Sequence, residues 1–238
     1  MPMKTIAETV KKILIVLVLT ALCAMSAHAK GDPTDYHVIV TLKDGSVIDG
    51  YITTALKNYL RPRVSEVGIS SEYGGKAVKY TSDEVVSIVY PPSEKDTTTV
   101  VFHSVVAQSK MPNYLSKNPK AYKKPIFLRL VYDGDNVKGY AMPLLDRTFG
   151  QTMTILNYTW RYFYKTSDGD MAKAYWDDVD DIIPGMKKVM KFYFREFPEL
   201  QQMVDDKQLT PSEFRENPTI VLPIMDKLCE VKNRNNSR

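Results

Sequence analysis

Residues 36–54 read YHVIVTLKDGSVIDGYITT, two β-branched, alternating runs joined across Asp44-Gly45. The first run, 36–42, and the second, 47–54, both have the period-2 character of strands. Asp-Gly is the pair that a tight hairpin turn requires where the backbone enters φ > 0. The stretch therefore reads as a β-hairpin. The alternative reading of Gly45 and Gly50, a phosphate-cradling loop, needs a Gly-x-Gly-x-x-Gly between a strand and a helix, and no helical pattern follows Gly50.

The stretch recurs. DGSVIDGY (44–51) is matched in spacing by DGDNVKGY (133–140) and more loosely by DGDMAKAY (168–175). In each copy a small residue (Gly50, Gly139, Ala174) falls five positions after the Asp-Gly glycine, a tyrosine follows it, and an apolar run leads in. Three hairpins are expected, each with a bulge or a close approach at its small residue, and Gly134 is expected to occupy φ > 0 as Gly45 does. Between the first two copies, 76–92 and 97–107 are strand-like by β-branched content, and Pro91-Pro92 separates them.

Outward from this β-rich half, the N-terminus carries Lys4, Lys11 and Lys12, an apolar run 13–25, and Ala27-His28-Ala29. These are the parts of a secretory signal peptide, and the run is shorter than the roughly 20 residues of a spanning helix. Cleavage is expected after Ala29, leaving a mature chain without a membrane span in a periplasmic, outer-envelope-associated or secreted location. Removing 1–29 leaves 29 basic and 27 acidic residues. That balance gives no basic excess of the kind a nucleic-acid partner leaves. Of the two cysteines only Cys229 stays, so no internal disulfide is expected and stability must come from burial.

Residues 108–125, with three prolines and five lysines, read as a polar connection between a β-rich module (30–107) and a second β module (126–183) with strands at 126–132, 137–144, 152–165 and 171–176. From Pro184 the period changes. Met186, Val189, Met190, Tyr193, Phe194 and Phe197 recur at three- and four-residue spacing, an amphipathic helix. TPSEF (210–214) supplies a capping box, and 219–232 reads as a last helix bent at Pro223. A helical tail over 184–232 and a frayed end at 233–238 complete an α+β protein, its antiparallel modules arranged as a small barrel or sandwich.

VTLKDGSVIDGYI (40–52) with DEVVSIVY (83–90) resembles the first and last strand motifs of small SH3-like or Sm-like β-barrels, over about a quarter of the chain. MKKVMKFYFREFPEL (186–200) resembles the tail of exported proteins of Gram-negative gut-type bacteria. The first resemblance implies a small barrel used as a binding or assembly scaffold. Sm-like domains bind RNA, but TTALKNYLR (53–61) stands where their Asp-x-x-x-Asn signature would follow the second strand. Neither resemblance carries an activity. KDTTTV (95–100) resembles the Asp-Thr-x O-glycosylation acceptor of some such bacteria, which makes Thr97 the acceptor.

No catalytic, cofactor or metal signature emerges. His103 and Ser104 are adjacent in a strand, so their side chains point to opposite faces and cannot act as base and nucleophile. Asp168, Asp170, Asp177, Asp178, Asp180 and Asp181 crowd around Trp176, a density that suits calcium. The EF-hand spacing fails, however, since Ala172 and Val179 fill two ligand positions, and a solvated turn with a helix N-terminus explains the same residues. In NYTWRYFYK (157–165), Tyr158, Trp160, Tyr162 and Tyr164 share one face. That face either packs as core against the helix around Phe194, with Trp160 buried, or binds a glycan or peptide. The sequence thus points to an exported, non-enzymatic interaction or envelope-associated protein whose partner is an envelope or extracellular protein or glycan. The alternatives are a secreted hydrolase-class enzyme and a calcium-stabilised structural protein.

Overall fold

The computed structural model describes residues 32–54, 56–57, 63–111, 120–149, 154–177 and 185–236, and for 145–149, 154–158 and 236 the backbone alone. The signal region ending at Ala29, and Asp178, Asp180 and Asp181, lie outside these residues. Asp32–Tyr36 belong to one unit, with a 3-10 turn at Pro33–Asp35 whose N-cap is Asp32; His37–Arg238 form a second.

The opening hairpin forms β1 (His37–Leu42) and β2 (Val47–Ile52), with Val40 opposite Ile48. Gly45 has φ +86°, and the Asp44 carboxylate accepts the backbone N–H (2.9 Å) and the hydroxyl (2.6 Å) of Ser46. Those hydrogen bonds hold the Asp44 carboxyl below its ordinary pKa. Only a residue without Cβ takes this backbone conformation freely. Eight more strands follow: β3 (Glu66–Ser70), β4 (Val78–Thr81), β5 (Val85–Tyr90), β6 (Val100–Val105), β7 (Ile126–Asp133), β8 (Val137–Phe149), β9 (Thr154–Thr166) and β10 (Lys173–Asp177). All pair antiparallel in one ten-stranded sheet of order β10-β9-β8-β7-β6-β5-β1-β2-β3-β4. The ladder runs from edge strand to edge strand and does not close into the expected barrel.

Its first half nevertheless curls on itself. Phe127 at the start of β7 donates its N–H to the Val64 carbonyl just ahead of β3 (2.9 Å), and the Ser82 hydroxyl donates to the Pro125 carbonyl (2.6 Å). Alternate residues of β1, β2, β3, β5 and β6 meet inside the curl. Val38, Val40, Val67, Val85 and Ile88 lose all solvent contact there and pack with Ile69, Phe102 and Phe127. Fully burying each such side chain stabilises by about 1.5–3 kcal/mol.

The second half is covered on both faces. On one, Leu128, Tyr140, Met142, Phe163 and Ala174 pack with Met111 and Tyr122 from the connection 108–125. That connection is docked at both ends, where sequence suggested a polar surface segment. Gln108, 3% exposed, accepts the Ala174 N–H on its side-chain oxygen and donates its amide to the Lys110 carbonyl, and Gln108 and Ala121 form an isolated bridge. A buried amide persists because its own groups are satisfied.

On the other face lies the helical layer: α1 (Met186–Tyr193), α2 (Pro198–Asp205), α3 (Pro211–Glu216), a 3-10 turn (Pro218–Val221) and α4 (Leu222–Asn236). The α1 stripe buries Met190, with Phe194 and Phe197 following it. Thr210 and Glu213 form the capping box of α3. Phe214 on α3 is the hub, its ring 5.1 Å from Trp176 and 5.4 Å from Phe194 between centroids. α4 continues through 233–236, where a frayed end was expected, and Asn233 reaches Asn136 in the β7–β8 loop at 3.2 Å.

Two bulges set what this layer touches. Register shifts between Ala174 and Trp176 and between Leu130 and Tyr132. Consecutive residues therefore face one way, and Tyr175 with Trp176, and Val131 with Tyr132, all join the helical cluster. The small residues of the repeats sit at close approaches. A Cβ on Gly50 would lie 2.6 Å from the Ser70 carbonyl oxygen, and one on Gly139 2.3 Å from Leu222 Cδ1. Gly134 departs from expectation, because its φ is not positive. It is glycine because Asp226 of α4 occupies the space, 2.6 Å from where a Cβ would be. The Asp226 carboxylate accepts the N–H groups of Asn136 and Val137, both at 2.7 Å, and pins α4 to the β7–β8 turn.

Candidate functional site

The aromatic strand is placed first by its neighbours. Tyr164, 3% exposed, stacks edge-on against Phe197 (5.5 Å), donates its hydroxyl to Glu196 (3.3 Å) and has its pKa raised, chiefly by burial. Tyr162 packs beside Tyr175 (6.3 Å). Both belong to the helical cluster. Trp160 does not: it is half-buried and outside that cluster, and Trp176, 2% exposed, is the tryptophan of the core. The expectation that Trp160 is buried against the helix around Phe194 is thus corrected, since the helical layer extends over β10 rather than along β9 to Trp160. The Tyr158 side chain lies outside the described residues.

The acidic cluster does not converge where it is described. Asp177 forms a bidentate pair with Arg161 (2.6 and 2.7 Å), which also donates to the Ser109 carbonyl. Asp168 is held below its ordinary pKa first by the Thr166 hydroxyl. Among the described residues, no group of three His, Cys, Asp or Glu side chains is placed to hold a metal ion. Thr97 is exposed in the β5–β6 loop. Asp96 beside it accepts the Lys57 ammonium (2.8 Å) and the Thr98 N–H (2.9 Å), and its carboxyl pKa is lowered to about 2 by those bonds, Lys57 first.

His103 and Ser104 point to opposite faces, as strand alternation requires. His103 Nδ1 lies 3.3 Å from the Tyr140 hydroxyl, whereas the Ser104 hydroxyl donates to the Ser82 carbonyl. Burial first and Lys138 second hold His103 below its ordinary range, with Asp133 opposing. Tyr140 is pushed up to about 12, mainly by burial.

The larger of two described clefts, about 910 Å³, opens between α4, the α1–α2 corner and the β9–β10 loop. Its floor is apolar: Phe197, Pro198, Leu228 and Val231, the last 49% exposed. Its rim carries Asp168, Glu199, Lys232 and the Lys173–Glu196 pair (2.6 Å). Cys229 lines it with a thiol pushed up by burial and by Asp168, which keeps it protonated and poorly nucleophilic at neutral pH. An apolar floor with a few oriented polar groups is the composition of a ligand site, and the volume lies within the usual range of about 300–1,000 Å³. Of the sequence candidates only Asp168 lines this cleft, and the sequence suggested it as a calcium ligand rather than as part of a groove. The one legible signal was the apolar side of 219–232, which was read as packing alone.

Among the described residues, no helix is long and apolar enough to cross a membrane. No protein-family model, curated protein or solved structure matches the chain.

Proposed function

We propose that the protein is exported and acts without catalysis as an envelope-associated or secreted interaction module, taking an extended segment of an envelope or extracellular protein in the cleft beside α4. The single observation that carries the reading is that cleft's construction: an apolar floor left open by Val231 and Leu228, ringed by charges of both signs. An extended peptide offers alternating apolar side chains for such a floor and polar backbone groups for such a rim. The β-rich half supports a scaffold role. Its strands β1-β2-β3-β4 run in a meander, a tight turn leads from β4 into β5 (Glu84 N–H to the Thr81 carbonyl, 3.0 Å), and β5 pairs back on β1. That arrangement, with the Phe127–Val64 bond, supports an SH3-like small-barrel module that has opened at β4 and been extended by β6.

Two measurements test the proposal. N-terminal sequencing of the exported fraction should give Lys30, and a Met1 start there would refute export with cleavage. Tagged protein should capture a discrete envelope protein that Val231→Glu loses and Val47→Glu, at the exposed start of β2, retains. Capture indifferent to Val231→Glu refutes the cleft as the site. Capture abolished by prior deglycosylation of the extract assigns it to a glycan instead.

A further inference from the structure

A second cleft, about 300 Å³, lies on the other side of the β9–β10 loop from the first and is lined by His103, Asp135, Lys138, Tyr140, Lys165 and Ser167. Its cations are not equivalent. Lys138 is neutralised by an ion pair with Asp133. Lys165 on β9 is half-buried, and among the described residues its side chain makes neither an ion pair nor a hydrogen bond. Its ammonium is thus available as the counter-ion of an anion bound in the cleft. The imidazole of His103 lines the same cleft, and its ring contacts the Tyr140 ring edge-on at 5.8 Å. In the tautomer in which the Tyr140 hydroxyl donates to Nδ1 (3.3 Å apart), the ring proton of neutral His103 resides on Nε2. The cleft therefore offers a fixed cation, an imidazole donor and the Ser167 hydroxyl, opposed by the single carboxylate of Asp135.

We propose that this cleft binds an oxyanion, the carboxylate or phosphate group of a small ligand, with Lys165 as its counter-ion and His103 as a donor that becomes a second cation on protonation. The volume, at the bottom of the range for ligand sites, suits one such group with a ring attached. Binding and protonation of His103 are then linked. The charges that act on the imidazole are Lys138 and Asp133, Tyr140 is its hydrogen-bond partner, and Lys165 and Asp135 line the same cleft. With Lys138 already paired to Asp133, an anion against Lys165 is the change that most favours imidazolium.

The test titrates the full chain with inorganic phosphate and, separately, D-glucuronate, following the His103 ring resonances by NMR at pH about 5.5 and about 8. Either probe should shift them and raise the His103 pKa, with tighter binding at the lower pH. Phosphate alone identifies a phosphate group, glucuronate alone a carboxylate, and both the shared oxyanion chemistry. Lys165→Gln should weaken binding at least about tenfold, and Asp135→Asn should tighten it by removing a like charge. Circular dichroism melts establish that each variant is folded. No shift with either probe, unchanged affinity in folded Lys165→Gln, or weaker binding in Asp135→Asn would each overturn the assignment.

Discussion

Removing the Asp226 carboxylate should undock α4 from the sheet. One oxygen, Oδ1, accepts the N–H groups of Asn136 and Val137 at 2.7 Å each, and Oδ2 accepts the Tyr132 hydroxyl at a weaker 3.3 Å. Hydrogen bonds to a charged group contribute about 1.5–3 kcal/mol each. The half-buried setting lets water replace part of that, so the two amide bonds together suggest about 2–4 kcal/mol for Asp226→Ala. Asp226→Asn keeps an acceptor of the same shape and should cost about 1 kcal/mol, losing only the charge assistance. Tyr132→Phe should change stability by less than about 1 kcal/mol, because its bond is long. Urea denaturation of the three variants gives the order Ala, Asn, Phe, and hydrogen exchange should show the Asn136 and Val137 amides deprotected in Asp226→Ala before any others. An Asp226→Ala change below about 0.5 kcal/mol, the range of an ordinary surface substitution, would refute the claim that this carboxylate holds α4 in place.

Gly139→Ala should destabilise by about 1–3 kcal/mol through overpacking on Leu222, and adding Leu222→Ala should recover part of the Gly139→Ala loss in a double-mutant cycle; additive effects would contradict the close approach. Trp176→Ala should cost about 3–5 kcal/mol by leaving a cavity around Phe214, while Trp160→Ala costs clearly less, and equilibrium melts that reverse the order would put the helical layer elsewhere. Because His103 is held below its ordinary 6.5, the unfolded chain takes up its proton first as pH falls. Stability should therefore decline below about pH 6.5 and level off below the folded value, a slope that His103→Gln should flatten in urea midpoints measured across that window.

What was legible in the sequence is what local chemistry determines. Gly45 announces its turn because φ > 0 is a property of its own backbone, and the Thr210–Glu213 box because its partners are three residues apart. Gly134 has the same Asp-Gly neighbourhood and a different reason for being glycine, a carboxylate on α4 that lies 92 positions away in the chain, which no local pattern encodes. Alternation assigned Tyr162 and Tyr164 to one face correctly, but it could not say how far the covering layer reaches, and so placed Trp160 in the core with them. The bulge that turns Tyr175 and Trp176 the same way puts two consecutive aromatics in the core, which strict alternation does not foresee. Both clefts are joint products of distant segments. His103, Lys138 and Lys165 come from three strands, and Glu196 and Val231 from two ends of the helical layer, so none forms a motif along the chain.

The most direct test of the account is a photo-reactive amino acid placed at position 231, in the open floor of the cleft, and in a second chain at position 47 as a more exposed control (49% and 63% exposed for the native valines). Illuminated in envelope extract, the chain labelled at 231 should form a discrete adduct with a single envelope protein, competed by unlabelled wild-type protein, and the chain labelled at 47 should not. Equal labelling from both positions, or none from 231, would contradict the claim that this cleft is where the protein meets its partner.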